Sequence, residues 1–275
     1  MRRVIAWKLG MMVAAFSIGA LSIAYAGESS PKAPVLDRIL AKKELVVGTA
    51  ASMPPLNMTL KDGKIVGMEI DLATLLADSL GVKLTIKPMN FGDLLAALES
   101  GQVDLVLSDM TMTPLRNTKI AFAGPYFGSG KSVLLKVANA PSLQSTGMMN
   151  APEVTLVALK GSTSQLFVEQ VAPKAKLLLA DDYNQAVALV LDDKARAMVA
   201  DYPICTVSAH RYRDKGLTTL KSPLNYEPIG IALPPNDPLL LNLAQNFVTA
   251  LLNSGDLESL RRRWFDDASW VNQLP

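Results

Sequence analysis

Three short polar runs carry the side chains of this chain that could do chemistry, and each begins where an apolar run ends. The first is Ser108-Asp109-Met110-Thr111-Met112-Thr113-Pro114-Leu115-Arg116, directly after Val103–Leu107. Thr113 followed by Pro114 is an N-cap and N1 pair, so the spacing predicts a helix there with Arg116 in its first turn. A cation at a helix N-terminus opposes the helix dipole unless an anion shares the site, which points to a carboxylate partner. A guanidinium can hold a carboxylate through two parallel charge-assisted hydrogen bonds, with nearby hydroxyls saturating the remaining lone pairs. The bland reading is a surface arginine among hydroxyls that cap local structure.

The second run, Lys160-Gly161-Ser162-Thr163-Ser164-Gln165, follows Val154–Leu159 and opens another expected helix. Gly161 permits a turn, and the hydroxyls with uncapped N–H groups form a nest for one anionic oxygen or a neutral polar group. Helix capping alone would explain the same residues. The long glycine-rich spacing with a terminal lysine is missing, so this is not a nucleotide phosphate loop. The third element is Asp201, which ends the run Ala195–Asp201. Its carboxylate could accept hydrogen bonds from a ligand ammonium, or equally from backbone N–H groups of a turn ahead of Tyr202-Pro203. Together, an arginine with hydroxyls on one side and a nest with an acid on the other would clamp a zwitterion. Closure around it would exclude water and strengthen every pair.

Other chemistries find little material. His210 is the one histidine and Cys205 the one cysteine, so neither a metal site nor an intramolecular disulfide is expected, and no cofactor motif is present. Arg2, Arg3 and Lys8 precede the apolar stretch Leu9–Ala24, and Ala24-Tyr25-Ala26 has the small residues of a cleavage site, so residues 1–26 read as a secretion signal. The apolar stretch is short for a membrane span, and no cysteine stands at the cleavage point to take a lipid. The expected product is free in the periplasm. The signal takes three of the 27 basic residues and none of the 25 acidic ones, leaving 24 against 25. A nearly neutral chain argues against nucleic acid as a partner.

The elements that must position these residues follow from hydrophobic patterning. Val35–Glu44 reads as an amphipathic helix, Glu44–Ala50 as a buried strand, and Lys61-Asp62-Gly63-Lys64 as a turn between two alternating stretches. Leu72, Leu75, Leu76 and Leu80 recur at helical spacing and Gly81 fits a C-cap. Strand and helix then alternate through Lys83–Met89, Phe91–Gly101 and Gln102–Asp109. After Ser132–Val137 and a loop over residues 138–150 the alternation starts again: strands at 154–159, 176–180 and 195–201, helices at 164–173 and 183–193. A strand at 228–234 and two closing helices near 239–254 and 257–265 follow, with Arg261-Arg262-Arg263 as a solvated face. The fold class is therefore α/β, with two mixed, mostly parallel sheets flanked by helices. Ligands of open α/β sheets collect at the C-terminal ends of strands, where all three polar runs lie.

At this level the chain resembles the periplasmic solute-binding proteins of the polar-amino-acid type, the soluble receptors of ATP-driven importers. The resemblance is carried by Met53-Pro54-Pro55-Leu56, Gly67-Met68-Glu69-Ile70-Asp71-Leu72-Ala73, Leu98-Glu99-Ser100-Gly101-Gln102-Val103-Asp104-Leu105, Thr111–Arg116 and Phe122-Ala123-Gly124-Pro125-Tyr126, in that order and spacing. It implies a two-lobed type II periplasmic-binding-protein fold, with lobe 1 at residues 35–128 plus 229–270 and lobe 2 at 129–228. The tether would be 27–34, the tail 271–275, and the hinge crossings near 127–132 and 224–230. It further implies that Arg116 binds a ligand α-carboxylate with help from Thr111 and Thr163, that Asp201 takes the α-amino group, and that Ser108 acts nearby, with Ser162 in the nest. Met53, Leu56 and Phe91 stand where the family commonly has aromatic rings, and Asp109 where a small residue is usual. The implied partners are a small-molecule ligand, an amino acid first, and an ABC permease in the inner membrane, the receptor acting as a monomer whose closed form the permease recognises.

Two other functions fit the same fold. Secreted cyclohexadienyl dehydratases are similar across the same landmarks, but carry a glutamate where this chain has Gln165, an amide that cannot serve as general acid or base. Asp109 and Glu227 are spare carboxylates. A sensory ligand-binding protein without a transporter would use the same pocket. The expected activity is binding, without catalysis.

Overall fold

The computed structural model describes residues 33–143 and 146–275. The expected secretion signal at 1–26, and the tether up to residue 32, lie outside the described residues. Helix α1 (Pro34–Lys42) starts with proline at its first position, and its Val35 and Leu36 N–H groups donate to Asp237 Oδ2 at 2.8 and 2.9 Å. Strand β1 (Glu44–Thr49) leads to a small antiparallel sheet of β2 (Ser52–Met53), β3 (Asn57–Thr59) and β4 (Ile65–Val66). In helix α2 (Met68–Leu80), Met68, Leu72, Ala73, Leu76 and Ala77 form the buried face, and left-handed Gly81 closes it. A buried leucine of this kind stabilises by roughly 1.5–3 kcal/mol.

Strand β5 (Lys83–Pro88) is followed by a 3-10 turn (Phe91–Asp93), helix α3 (Leu94–Glu99) and strand β6 (Leu105–Val106). Strand β6 is shorter than the apolar run suggests. Leu107 still donates to Gly48 O at 3.1 Å, but Asp109 takes a left-handed conformation (φ 49°) that turns the chain out of the ladder. The landmark Asp104 is an anchor: Val46 N–H donates to its Oδ2 at 2.8 Å and Arg38 pairs with its other oxygen. The short helix α4 (Pro114–Asn117) is capped by Thr113, whose hydroxyl accepts from Arg116 N. Strands β7 (Ala121–Ser129) and β8 (Lys131–Lys136) come next.

A 3-10 stretch (Val137–Ser142) and helix α5 (Thr146–Met149) occupy much of the region expected as a loop. Then come β9 (Thr155–Leu159), α6 (Thr163–Val171), β10 (Lys176–Ala180), α7 (Tyr183–Leu191), β11 (Ala197–Asp201) and α8 (Tyr202–Arg211). Strands β12 (Leu217–Thr219) and β13 (Glu227–Leu233) precede the closing helices α9 (Pro238–Ser254) and α10 (Asp256–Phe265). Helix α8 was not foreseen. It has a proline in its first turn and buries only Pro203, Ile204, Cys205 and Ser208, a weak periodic signal. Strand β7 was hidden by Gly124 and Pro125, which an edge strand tolerates. In the arginine triplet, Arg261 and Arg262 pair with Glu258, and Arg263 reaches Asp71 at 3.2 Å.

The strands form two five-stranded mixed sheets. The first has the order β5-β1-β6-β13-β7, with β5, β1 and β6 parallel and β13 antiparallel to both its neighbours. The second has the order β10-β9-β11-β8-β12, with β10, β9 and β11 parallel and β8 antiparallel to β11 and β12. The chain passes from the first sheet to the second between Ser129 and Lys131, and returns between β12 and β13. One apolar core lies under helices α2 and α9 of the first sheet. A second joins Met53, Phe91 and Val106 of the first sheet's side to Leu159, Tyr183 and Met198 of the second. Among the described residues no helix is long and apolar enough to cross a membrane.

Candidate functional site

The polar runs converge because all three leave parallel strands at the same end. After β6, the Ser108 hydroxyl accepts from Ala50 N at 2.9 Å and donates to Met53 Sδ at 3.7 Å. Asp109 is held by its own N–H, which donates to Glu69 Oε1 at 2.7 Å, while its Oδ1 meets no hydrogen-bond partner. Thr111 pairs with Ile229 and donates its hydroxyl to Glu227 Oε2 at 2.8 Å. The Arg116 guanidinium folds back from α4 and donates to Thr111 O at 2.9 Å and to Gly161 O at 3.2 Å, with Phe91 beneath it at 5.7 Å. One side chain thus touches the loops of both sheets.

On the second side, left-handed Gly161 (φ 75°) turns the chain from β9 into α6. Ser162 is the N-cap: its hydroxyl accepts from Gln165 N at 3.2 Å and donates to Leu159 O at 2.7 Å. Thr163 donates to Glu227 Oε2 at 2.8 Å and lies 3.3 Å from the Thr111 hydroxyl. The two loops come close enough that a Cβ on Gly161 would stand 3.2 Å from Gly92 Cα. Gln165 spends its amide on Gly161 N and Glu169.

Asp201 ends β11, and the antiparallel register sets it opposite Lys131, the first residue of β8. Lys131 is 1% exposed; its Nζ pairs with Asp201 Oδ1 and with Glu227 Oε2, the latter at 2.8 Å. Asp201 makes no helix-capping bond, so the turn-acid alternative is not what its side chain does. Lys131 already neutralises one of its oxygens. Sequence reasoning passed over Lys131, since only the strand register brings it to Asp201. Glu227, noted only as a spare carboxylate, proves to be the acceptor on which Thr111, Thr163 and Lys131 meet.

These groups enclose a void of about 10 Å³, lined by Met53, Phe91, Asp109, Thr111, Lys131, Leu159, Ser162, Thr163, Ser164, Tyr183 and Asp201. Roughly one water fills such a volume, so the walls are shut on each other. Arg116 sits at its edge, outside this lining. A separate cleft of about 330 Å³ shares Phe91 and Tyr183 with the void and is lined further by Asn90, Asp182 and Arg211. A larger apolar groove, about 420 Å³, lies between Tyr202, Pro203, Trp264 and Phe265, away from this polar cluster.

Burial dominates the titration of the site. It pushes Asp109 well above the usual carboxylate value, and the Asp201 and Glu69 carboxylates add to that, with Lys131 opposing. Burial also raises Glu69, against hydrogen bonds from Tyr126, Asp109 N and Asn57. Burial works to raise Glu227 as well, but the Lys131 charge and bonds from Lys131, Thr111 and Thr163 outweigh it and leave the group lowered. Lys131 is raised although burial pulls it down, because Asp201 and Glu227 flank it. Elsewhere, burial raises the Cys205 thiol to about 12, which makes it inert. His210 is exposed in the last turn of α8, and among the described residues no three metal-binding side chains gather. The site is thus built to hold charge by hydrogen bonds and ion pairs in a water-poor space.

Comparison with known proteins adds to this geometry. The model for bacterial extracellular solute-binding proteins, family 3, matches residues 45–267. The L-cystine-binding protein TcyJ of Escherichia coli (strain K12) is 24% identical over 257 residues, covering 94% of each chain. Cyclohexadienyl dehydratase of Pseudomonas aeruginosa is 23% identical over 231 residues, covering 84% of this chain and 86% of its own. The crystal structure of the ancestral amino acid-binding protein AncCDT-1, a precursor of cyclohexadienyl dehydratase, superposes with a TM-score of 0.77 at 33% identity, over 84% of this chain and 99% of that one.

Proposed function

The chain belongs to the bacterial extracellular solute-binding proteins, family 3, and from that premise we propose that its ligand is an α-amino acid gripped by both charged ends between the two sheets. The coarser role follows from membership: a periplasmic binding protein that hands a small polar solute to an ABC permease. In the proposed complex Arg116 takes the α-carboxylate beside the Thr111 and Thr163 hydroxyls. Asp201 takes the α-ammonium through Oδ2, the oxygen that Lys131 leaves open. Lobe 1 (35–128 and 229–270) and lobe 2 (129–228) close about the crossings at 127–132 and 224–230, and the receptor works as a monomer.

The observation that carries this reading is the reach of Arg116 across the loops of both sheets, from Thr111 O to Gly161 O, beside a void that bears Asp201. A cation in that place is set to bind an anion only when the halves are together. The Lys131 pair does not cancel the complementarity. Asp201 and Glu227 together carry one more charge than Lys131 neutralises, which leaves the second side attractive to an ammonium.

The relatives include both a binding protein and a dehydratase. Gln165 favours binding, since it is an amide where the enzymes carry a glutamate, and it is engaged with Gly161 and Glu169 outside the void. Calorimetry of refolded, ligand-stripped protein against an amino-acid panel that includes prephenate and arogenate tests the proposal. Tight binding of an amino acid without turnover is the expected result, and consumption of prephenate would overturn it.

A further inference from the structure

Glu227 is the first residue of β13, where the chain has just returned to the first sheet. It is 7% exposed and stands outside the lining of the void, yet two of the void's hydroxyls end on it. Its Oε2 accepts from Thr111 Oγ1, Thr163 Oγ1 and Lys131 Nζ, each at 2.8 Å, while its Oε1 accepts from Asn225 Nδ2 at 3.2 Å. The carboxylate is fixed in this attitude from behind. Lys131 N donates to Asn225 Oδ1 at 2.7 Å and Leu224 N donates to Lys131 O at 2.7 Å, so the outgoing and returning passages of the chain are bonded to each other around the acid. Gly130 lets them pass so closely that a Cβ there would meet Asn225 O at 2.0 Å.

Counting protons shows what this does to the threonines. Burial acts to raise Glu227, but the Lys131 charge and the bonds from Lys131, Thr111 and Thr163 leave it lowered, and an ionised carboxylate only accepts. Each hydroxyl has a single proton, and here that proton lies on Glu227 Oε2. Thr111 and Thr163 therefore have none to give each other, and their oxygens face across 3.3 Å as two acceptors. Both side chains line the void together with Asp201. What they offer a ligand is lone pairs. An N–H donor placed between them would relieve the contact, whereas a carboxylate would meet only acceptors there and is left to Arg116.

Resting on the amino-acid reading above, we propose that Glu227 is a positioning residue: it draws the Thr111 and Thr163 protons away from the void, so that both hydroxyls accept from the ligand's α-ammonium beside Asp201. Thr111 comes from the first sheet's loop and Thr163 from the second's, so one acid sets the hydroxyls of both sides without touching the ligand.

The test is a double-mutant cycle read by calorimetry on the ligand-stripped full chain, with the amino acid that binds best from a full panel, each variant being checked for folding by its thermal midpoint. Glu227→Gln should weaken binding about tenfold or more. With Thr111→Val and Thr163→Val already in place, the same change should weaken it by less than about threefold, because the side chains through which it acts are gone. A loss of equal size in both backgrounds would mean that Glu227 acts through its charge or through Lys131, and the proposal falls. Where the valine background binds too weakly to measure, NMR of the hydroxyl protons decides. The Thr111 and Thr163 hydroxyls, kept from exchange by their bonds to Glu227, should give resolved lines in the unmodified protein that are lost in Glu227→Gln. Lines absent from the unmodified protein, or unmoved in the variant, overturn the proposal. If Glu227→Gln leaves amino-acid affinity unchanged, the proposal falls and the amino-acid reading stands. If no amino acid of the panel binds, both fall.

Discussion

Asp109 and Asp201 occupy matching places, each where a strand of the parallel part of its sheet gives way to the cleft, yet the protein treats them in opposite ways. Asp201 extends its strand in regular geometry, and the facing strand supplies Lys131. Asp109 leaves its strand on left-handed backbone and makes no ion pair of its own, with the Asp201 and Glu69 carboxylates outweighing the more distant charge of Lys131. The difference teaches that burying a carboxylate says little about its role until its counter-ion is identified. A carboxylate with a built-in cation is neutralised within its own sheet, whereas one without keeps its proton to a higher pH.

The sharpest way to break this contrast is to make Asp201 resemble Asp109. Lys131→Met should strand Asp201 and Glu227 and cost about 3–5 kcal/mol of stability, read from denaturant midpoints at neutral pH. The sign with pH follows from Glu227, whose folded value is lowered from 4.5, so its contribution is complete above that value and is lost as pH falls through the folded one. The deficit of the variant should therefore shrink on acidification through that range. A deficit that is constant with pH would argue that Lys131 acts through packing alone.

Arg116→Ala tests whether the contrast matters for binding at all. It leaves a ligand carboxylate unpaired in a dry site and should weaken amino-acid binding by about 2–5 kcal/mol in calorimetry. Unchanged affinity would remove the clamp. Gly161→Ala probes the approach of the two halves. The left-handed φ of 75° should cost about 1–2 kcal/mol in thermal stability. The Cβ close to Gly92 Cα adds a smaller loss of affinity, confined to the shut form.

Asp109→Asn approaches the comparison from the other side and should stabilise the ligand-free protein. A group whose folded pKa is raised lets the folded state keep a proton that the unfolded chain loses, so stability falls as pH rises above 3.8 towards the folded value. Removing it should raise the thermal midpoint at neutral pH by about 2–4 °C for each kcal/mol gained. Below pH 3.8 the gain should vanish, because Asp109 is then protonated in both states. A lower midpoint at neutral pH would show that its carboxylate is structural after all.

Much of this molecule was legible in its residues. Helix α2 follows from Leu72, Leu76 and a glycine stop, and the cap of α4 follows from Thr113-Pro114, because both depend on neighbours a few positions away in the chain. The three polar runs at strand ends could be found for the same reason, and so could Arg116, by its place against the helix dipole. Helix α8 and strand β7 were not legible, since the first has a weak apolar period and the second is interrupted by Gly124 and Pro125. Ser108 and Ser162, expected as ligand groups, bond with their hydroxyls to Ala50 and Met53 and within the turn of α6, partners the polar runs alone did not reveal.

What the sequence determined by itself was therefore the list of elements, the α/β class and the chemical types gathered at the strand ends, all of which rest on local periodicity and turn chemistry. Tertiary structure alone decided the pairings: that Lys131 faces Asp201, that Glu227 gathers Thr111 and Thr163, and that Asp109 is left with no cation of its own. Those pairings join residues from 64 to 116 positions apart. Charges interact through space with a strength set by distance and burial, and neither quantity exists until the sheets have fixed their register and closed on each other.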